Sequence, residues 1–94
     1  MKNLIFYSME GCPHCSEMKK MLDEGNIEYL ERDIDKNNEE YEMFVQATDN
    51  EFIPSFMMFE NHGEDDFKNV RLMAPDRDFE TLEEALEKIK EYLK

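Results

Sequence analysis

Cys12 and Cys15 are the only cysteines of the chain, and they stand in the run Met9-Glu10-Gly11-Cys12-Pro13-His14-Cys15. Two thiols with two residues between them can clip a metal, brace a fold as a disulfide, or carry electrons. Pro13 narrows the choice. Proline has no N–H and a fixed φ, which suits the first turn of a helix, so Cys12 falls where that helix starts. The unpaired amides and the positive dipole end found there favour a thiolate over a thiol, making Cys12 the expected nucleophile. Cys15, one turn in, is expected to be more buried and to resolve the mixed disulfide. Helix positions i and i+3 lie about 5–6 Å apart, within the Cα range that a disulfide accepts, so the bond can form and break without refolding. His14 brings a ring N–H close to the thiolate, while the exposed Glu10 and Glu17 oppose it from a greater distance.

The competing chemistries are less well equipped. Zinc wants four ligands, and only His14 and His62 could join the two cysteines. His14 lies inside the motif and is poorly placed to close the shell, so no metal ligand set is assigned. No pair of carboxylates has a setting for acid and base work, and the acidic clusters read as solvated surface.

The rest of the chain must position these thiols. With 94 residues, 40% of them hydrophobic and 12% aromatic, it has the size and apolar content of one folded domain over 1–94. A formal charge of −13 argues against nucleic acid or an anionic membrane as a partner, because both require clustered Lys and Arg. The N-terminal residues lack the apolar length of a secretory signal, and no run is long enough to span a bilayer. A cytoplasmic location is expected, where a close cysteine pair points to metal or redox chemistry before a permanent staple.

Residues 4–7 (LIFY) form an apolar run suited to a strand covered on both faces. Cys15, Met18 and Leu22 recur at helical spacing, so 13–24 reads as an amphipathic helix ended by Gly25. Ile27 and Tyr29, followed by Leu30 and Ile34, suggest a second strand over 27–34, parallel to the first. Tyr41, Phe44, Val45 and Thr48 give the stripe of a helix over roughly 37–48, stopped by Asp49 and Asn50. Two antiparallel strands near 55–60 and 68–73 flank a polar turn containing Gly63. A capping box from Thr81 to Glu84 then opens a helix carrying Leu82, Ala85, Leu86, Ile89 and Leu93 on one side. The order is βαβαββα.

Cys12-Pro13-His14-Cys15 after a buried strand, this element order, and Phe52-Ile53-Pro54 before the third strand together resemble the glutaredoxin family, over nearly the whole chain. The resemblance implies an α/β, thioredoxin-like fold with a four-stranded mixed sheet and helices on both faces. It also implies a cis Pro54 packed against the cysteines, with the main chain of Ile53 free to pair with the cysteinyl part of a substrate. The activity implied is glutathione-dependent dithiol–disulfide exchange on protein or mixed disulfides. Glutathione serves as cosubstrate, no cofactor is tightly bound, disulfide-containing proteins are the other partners, and a monomer is expected.

Two departures qualify the likeness. The family commonly carries a Lys three residues before the first cysteine, where this chain has Met9. Its usual Gly-Gly and Asp near the last helix are replaced by Met73-Ala74-Pro75-Asp76-Arg77-Asp78, where Asp76 or Asp78 could face a ligand ammonium and Arg77 a carboxylate. Met9 and Tyr7, at the end of the first strand, are further candidates to line the site. Alternatives left open are a thioredoxin-like donor reduced by a flavoprotein, an iron–sulfur or zinc carrier using Cys12, and a non-catalytic adaptor. The Pro-His pair between the cysteines predicts a more oxidising couple than the Gly-Pro pair of thioredoxins.

Overall fold

A computed structural model describes residues 2–63 and 67–94. The elements are β1 (Lys2–Ser8), α1 (Pro13–Glu24), β2 (Leu30–Asp33), α2 (Asn38–Thr48), β3 (Ser55–Asn61), β4 (Phe67–Met73) and α3 (Leu82–Leu93). They form one four-stranded sheet in the order β2-β1-β3-β4. β1 runs parallel to β2, with Ile5 opposite Leu30, and antiparallel to β3, with Phe6 opposite Phe56. β3 and β4 are antiparallel, with an irregularity between Met58 and Glu60. The turn joining them includes 64–66, which lie outside the described residues.

The central place of β1 explains its unbroken apolar run, since alternate side chains enter cores on opposite faces. Leu4 and Phe6 join Cys12, Cys15, Met18 and Leu22 of the α1 side and Ala85 and Ile89 of α3. Ile5 and Tyr7 join Tyr41 and Phe44 of α2, with Ala74. Helices thus cover both faces, as the resemblance implies. Phe6 stacks on Phe56 at 5.5 Å and meets the edge of Tyr29 at 5.8 Å, fixing the floor on which α1 rests.

The second strand is shorter than its alternation predicts. Ile27 N–H is taken by the Leu22 carbonyl at 3.0 Å, so the chain is still leaving α1 where strand pairing was expected. Ile27 and Tyr29 keep their inward direction and pack against the α1 core without joining the ladder. α1 stops at Gly25, whose φ of −84° is ordinary, and the left-handed residue is Asn26. At α3 the Thr81 hydroxyl accepts from Glu84 N–H at 3.1 Å, which is the forward half of the capping box.

Candidate active site

The site is assembled where the C-terminal end of β1 passes into α1. After Ser8 the chain makes a tight turn in which Cys12 N–H donates to the Met9 carbonyl at 3.2 Å. Gly11 sits in this turn at a φ of 83°, a conformation that side chains rarely tolerate. The Glu10-Gly11 dipeptide is the sequence signal for this turn.

Cys12 is the N-cap of α1, with Pro13 at its first turn. Its Sγ accepts from Cys15 N–H at 3.2 Å. Cys12 and Cys15 form a disulfide across a Cα–Cα distance of 5.2 Å, inside the range that their helical spacing predicts. Cys12 keeps 9% of its surface and Cys15 only 3%, so the first cysteine is the more accessible of two well-covered residues. The amide that faces Cys12 Sγ in the disulfide is positioned to face the sulfur after reduction, when a negative charge would need it.

The Ile53–Pro54 bond is cis, and Ile53 packs against the core cluster that contains Cys12 and Cys15. Pro54 is buried, and neither main-chain group of Ile53 is hydrogen-bonded among the described residues. His14, Ile53 and Pro54 line a groove of about 270 Å³ together with Pro75, Phe79, Glu80, Thr81 and Leu82. The β4–α3 segment therefore meets the cysteine helix across more than sixty residues of chain, a juxtaposition that neither local motif announces.

The remaining candidates divide. Met9 is exposed and borders a second, polar depression of about 480 Å³ that Cys15 also lines. Tyr7 is not brought to the cysteines. It is 1% exposed, packs on Tyr41 and Phe44 across the sheet, and donates its hydroxyl to Glu40 at 2.7 Å. Burial, with the Glu40 carboxylate next to it, pushes that hydroxyl well above the usual tyrosine range. Asp76, Arg77 and Asp78 do not line the groove either. Asp78 accepts from Ala74 N–H at 2.9 Å and from the Arg77 guanidinium at 2.7 Å, while Arg77 also reaches the Leu72 carbonyl. These side chains hold their own loop together, and Asp76 contributes a left-handed turn at a φ of 64°.

One polar network leaves no local mark in the sequence. Ser8 donates to Glu31 at 2.9 Å, and Glu31 pairs with Lys19 at 2.9 Å, along the polar depression behind Cys15. The Lys19 ammonium holds the Glu31 carboxyl below the ordinary carboxylate range. Strand pairing creates it, because β1 and β2 must align before Ser8 can meet Glu31. Among the described residues no group of three or more His, Cys, Asp or Glu is arranged to hold a metal, and no helix is long and apolar enough to cross a membrane.

A thioredoxin-like fold with a Cys-x-x-Cys pair at the start of its first helix defines a thiol–disulfide oxidoreductase. The chain belongs to the glutaredoxin family, whose model matches residues 4–57, a stretch that includes the cysteine pair and Pro54. One solved chain, described as "Structure of a malarial protein", is similar in fold with a TM-score of 0.56 and 17% identity, covering 100% of this chain and 99% of its own. No curated protein matches the chain.

Proposed function

We propose that the protein is a glutathione-dependent dithiol–disulfide oxidoreductase in which Cys12 is the nucleophile and Cys15 the resolving thiol. The Cys12 thiolate attacks one sulfur of a substrate disulfide, and the other sulfur leaves as a thiolate that takes up a proton. Cys15, losing its proton, then attacks Cys12 and releases the second substrate thiol. Two electrons have passed to the substrate, and the protein holds the Cys12–Cys15 disulfide. Two molecules of glutathione reverse this oxidation and leave as glutathione disulfide.

The observation that carries the reading is the Cys15 N–H aimed at Cys12 Sγ at the start of α1. A donor fixed at that point stabilises the sulfur anion formed in both steps, with no reorganisation when the charge appears. His14, in the groove lining, offers a second donor, and Pro13 fixes the first turn. Ile53 offers main-chain groups to the incoming cysteine, and the cis, buried Pro54 shapes the groove it shares with His14. Met9 borders the other side of the cysteine loop.

A flavoprotein-reduced donor is the second reading. It is favoured by Met9 standing where a carboxylate-binding Lys would be, and by Arg77 being occupied with Asp78. The test is mass spectrometry of a Cys15→Ser variant incubated with glutathione disulfide. One glutathione should be added on Cys12, and the adduct should vanish in Cys12→Ser. Absence of the adduct, with the variant folded, contradicts glutathione dependence.

A further inference from the structure

The groove beside the disulfide has an uneven character. Pro54, Pro75, Phe79 and Leu82 give it an apolar lining, the exposed Glu80 adds a carboxylate, and no Lys or Arg among the described residues lines it. Glutathione brings more carboxylates than ammonium groups, and here it would meet that carboxylate on a chain of net charge −13. A ligand with the opposite balance is the better electrostatic match.

The surroundings extend the apolar surface. Phe52 is 60% exposed and directly precedes Ile53 of the groove lining. The Phe52 backbone is tethered: its N–H donates to Asn50 Oδ1 at 2.9 Å and its carbonyl accepts from Ser55 Oγ at 2.6 Å. The ring is thus held in solvent on a fixed main chain, immediately before the unpaired main-chain groups of Ile53. An extended peptide pairing with Ile53 would run its flanking side chains past Phe52.

We infer that the preferred substrate is a disulfide in an extended polypeptide segment, with an apolar side chain and a Lys or Arg flanking the cysteine. This rests on the redox reading above. The exchange is the two-electron step already written, with the substrate disulfide reduced to thiols and the Cys12–Cys15 dithiol oxidised. Phe52 takes the apolar neighbour and Glu80 the cation.

The test uses the reduced full chain and three synthetic octapeptide disulfides that differ only beside the cysteine: Phe with Lys, Phe with Glu, and Ser with Lys. Rate constants are read by chromatography of the released thiol at low and high salt. The wild type should reduce the Phe-Lys peptide about threefold faster than Phe-Glu, with the advantage shrinking in salt, and up to about tenfold faster than Ser-Lys. Glu80→Lys should invert the first ratio, and Phe52→Ser should collapse the second. Equal rates for the three peptides, or ratios unmoved by both substitutions, overturn the inference. Bis(2-hydroxyethyl) disulfide, which lacks flanking groups, is run alongside with wild type and Cys12→Ser. If the wild type reduces it without discriminating the peptides, only the substrate preference fails. If the two proteins are equally inert toward it, the redox reading fails and the preference falls with it.

Discussion

Reducing the Cys12–Cys15 bond should alter the stability of the fold by an amount that depends on pH. The bond closes a loop with a sequence separation of only 3, so loop entropy favours the oxidised protein by just about 2 kcal/mol at 25 °C. Reduction brings an opposing contribution. A Cys12 thiolate at a helix start, its folded pKa held below the free-cysteine value by the facing amide and the helix dipole, adds stability to the reduced form. Because the folded value is the lower one, this contribution is present above the unfolded pKa and disappears as pH falls through the folded one. The advantage of the oxidised form should therefore be larger at pH 5 than at pH 7, approaching about 2 kcal/mol at the acid end. Urea unfolding with and without a phosphine reductant at each pH measures the gap. Apart from Cys15, which reduction also frees, the other titrating groups are common to both forms and drop out of the difference. A gap of the same size at both pH values would refute the thiolate argument while leaving the fold untouched.

Thr81→Ala removes the acceptor that caps Glu84 N–H, and should cost about 1 kcal/mol, lowering the Tm by roughly 4–8 °C in calorimetry. Tyr7→Phe removes the hydroxyl bond to Glu40 and should cost about 0.5–1.5 kcal/mol in urea, yet leave disulfide reduction intact because Tyr7 lies across the sheet from the cysteines. Tyr7, Tyr29, Tyr41 and Tyr92 all have hydroxyls held protonated beyond their ordinary range, first by burial, with Tyr29 pushed up to about 12. Raised folded values give stability that is complete below the unfolded pKa of about 10 and is lost above it, so urea midpoints should fall as pH rises past that point. The fall should be shallower in Tyr7→Phe.

What could be read from the chain follows the range of the interaction. Pro13 after Cys12 and the Thr81 cap act within one helical turn, and both helix starts stand where those residues put them. The apolar 4–7 run identifies a central strand, but a strand apolar on both sides carries no mark of which face meets the cysteines. That choice decides the place of Tyr7, which α2 claims through Tyr41 and Phe44. Ile27 and Tyr29 alternate like a strand because both point inward, yet hydrogen bonding begins only when β1 has a partner to offer at Leu30. The β4–α3 part of the groove lining was the least visible. Pro75 and Phe79 are two apolar residues in a charged loop, and only the packing of α3 beside α1 brings them into one lining with His14 and Ile53. The charges of Asp78 and Arg77 suggest contacts with a ligand, but Asp78 accepts from the Ala74 N–H of its own loop and from Arg77, which also reaches the Leu72 carbonyl.

The central claim concerns the state of one sulfur. In a reduced Cys15→Ser variant, Cys12 is the sole thiol, and its ionisation can be followed directly through the ultraviolet absorbance of the thiolate. The Cys12 pKa is predicted well below the free-cysteine value of about 8.5; a midpoint at or above that value would contradict the account.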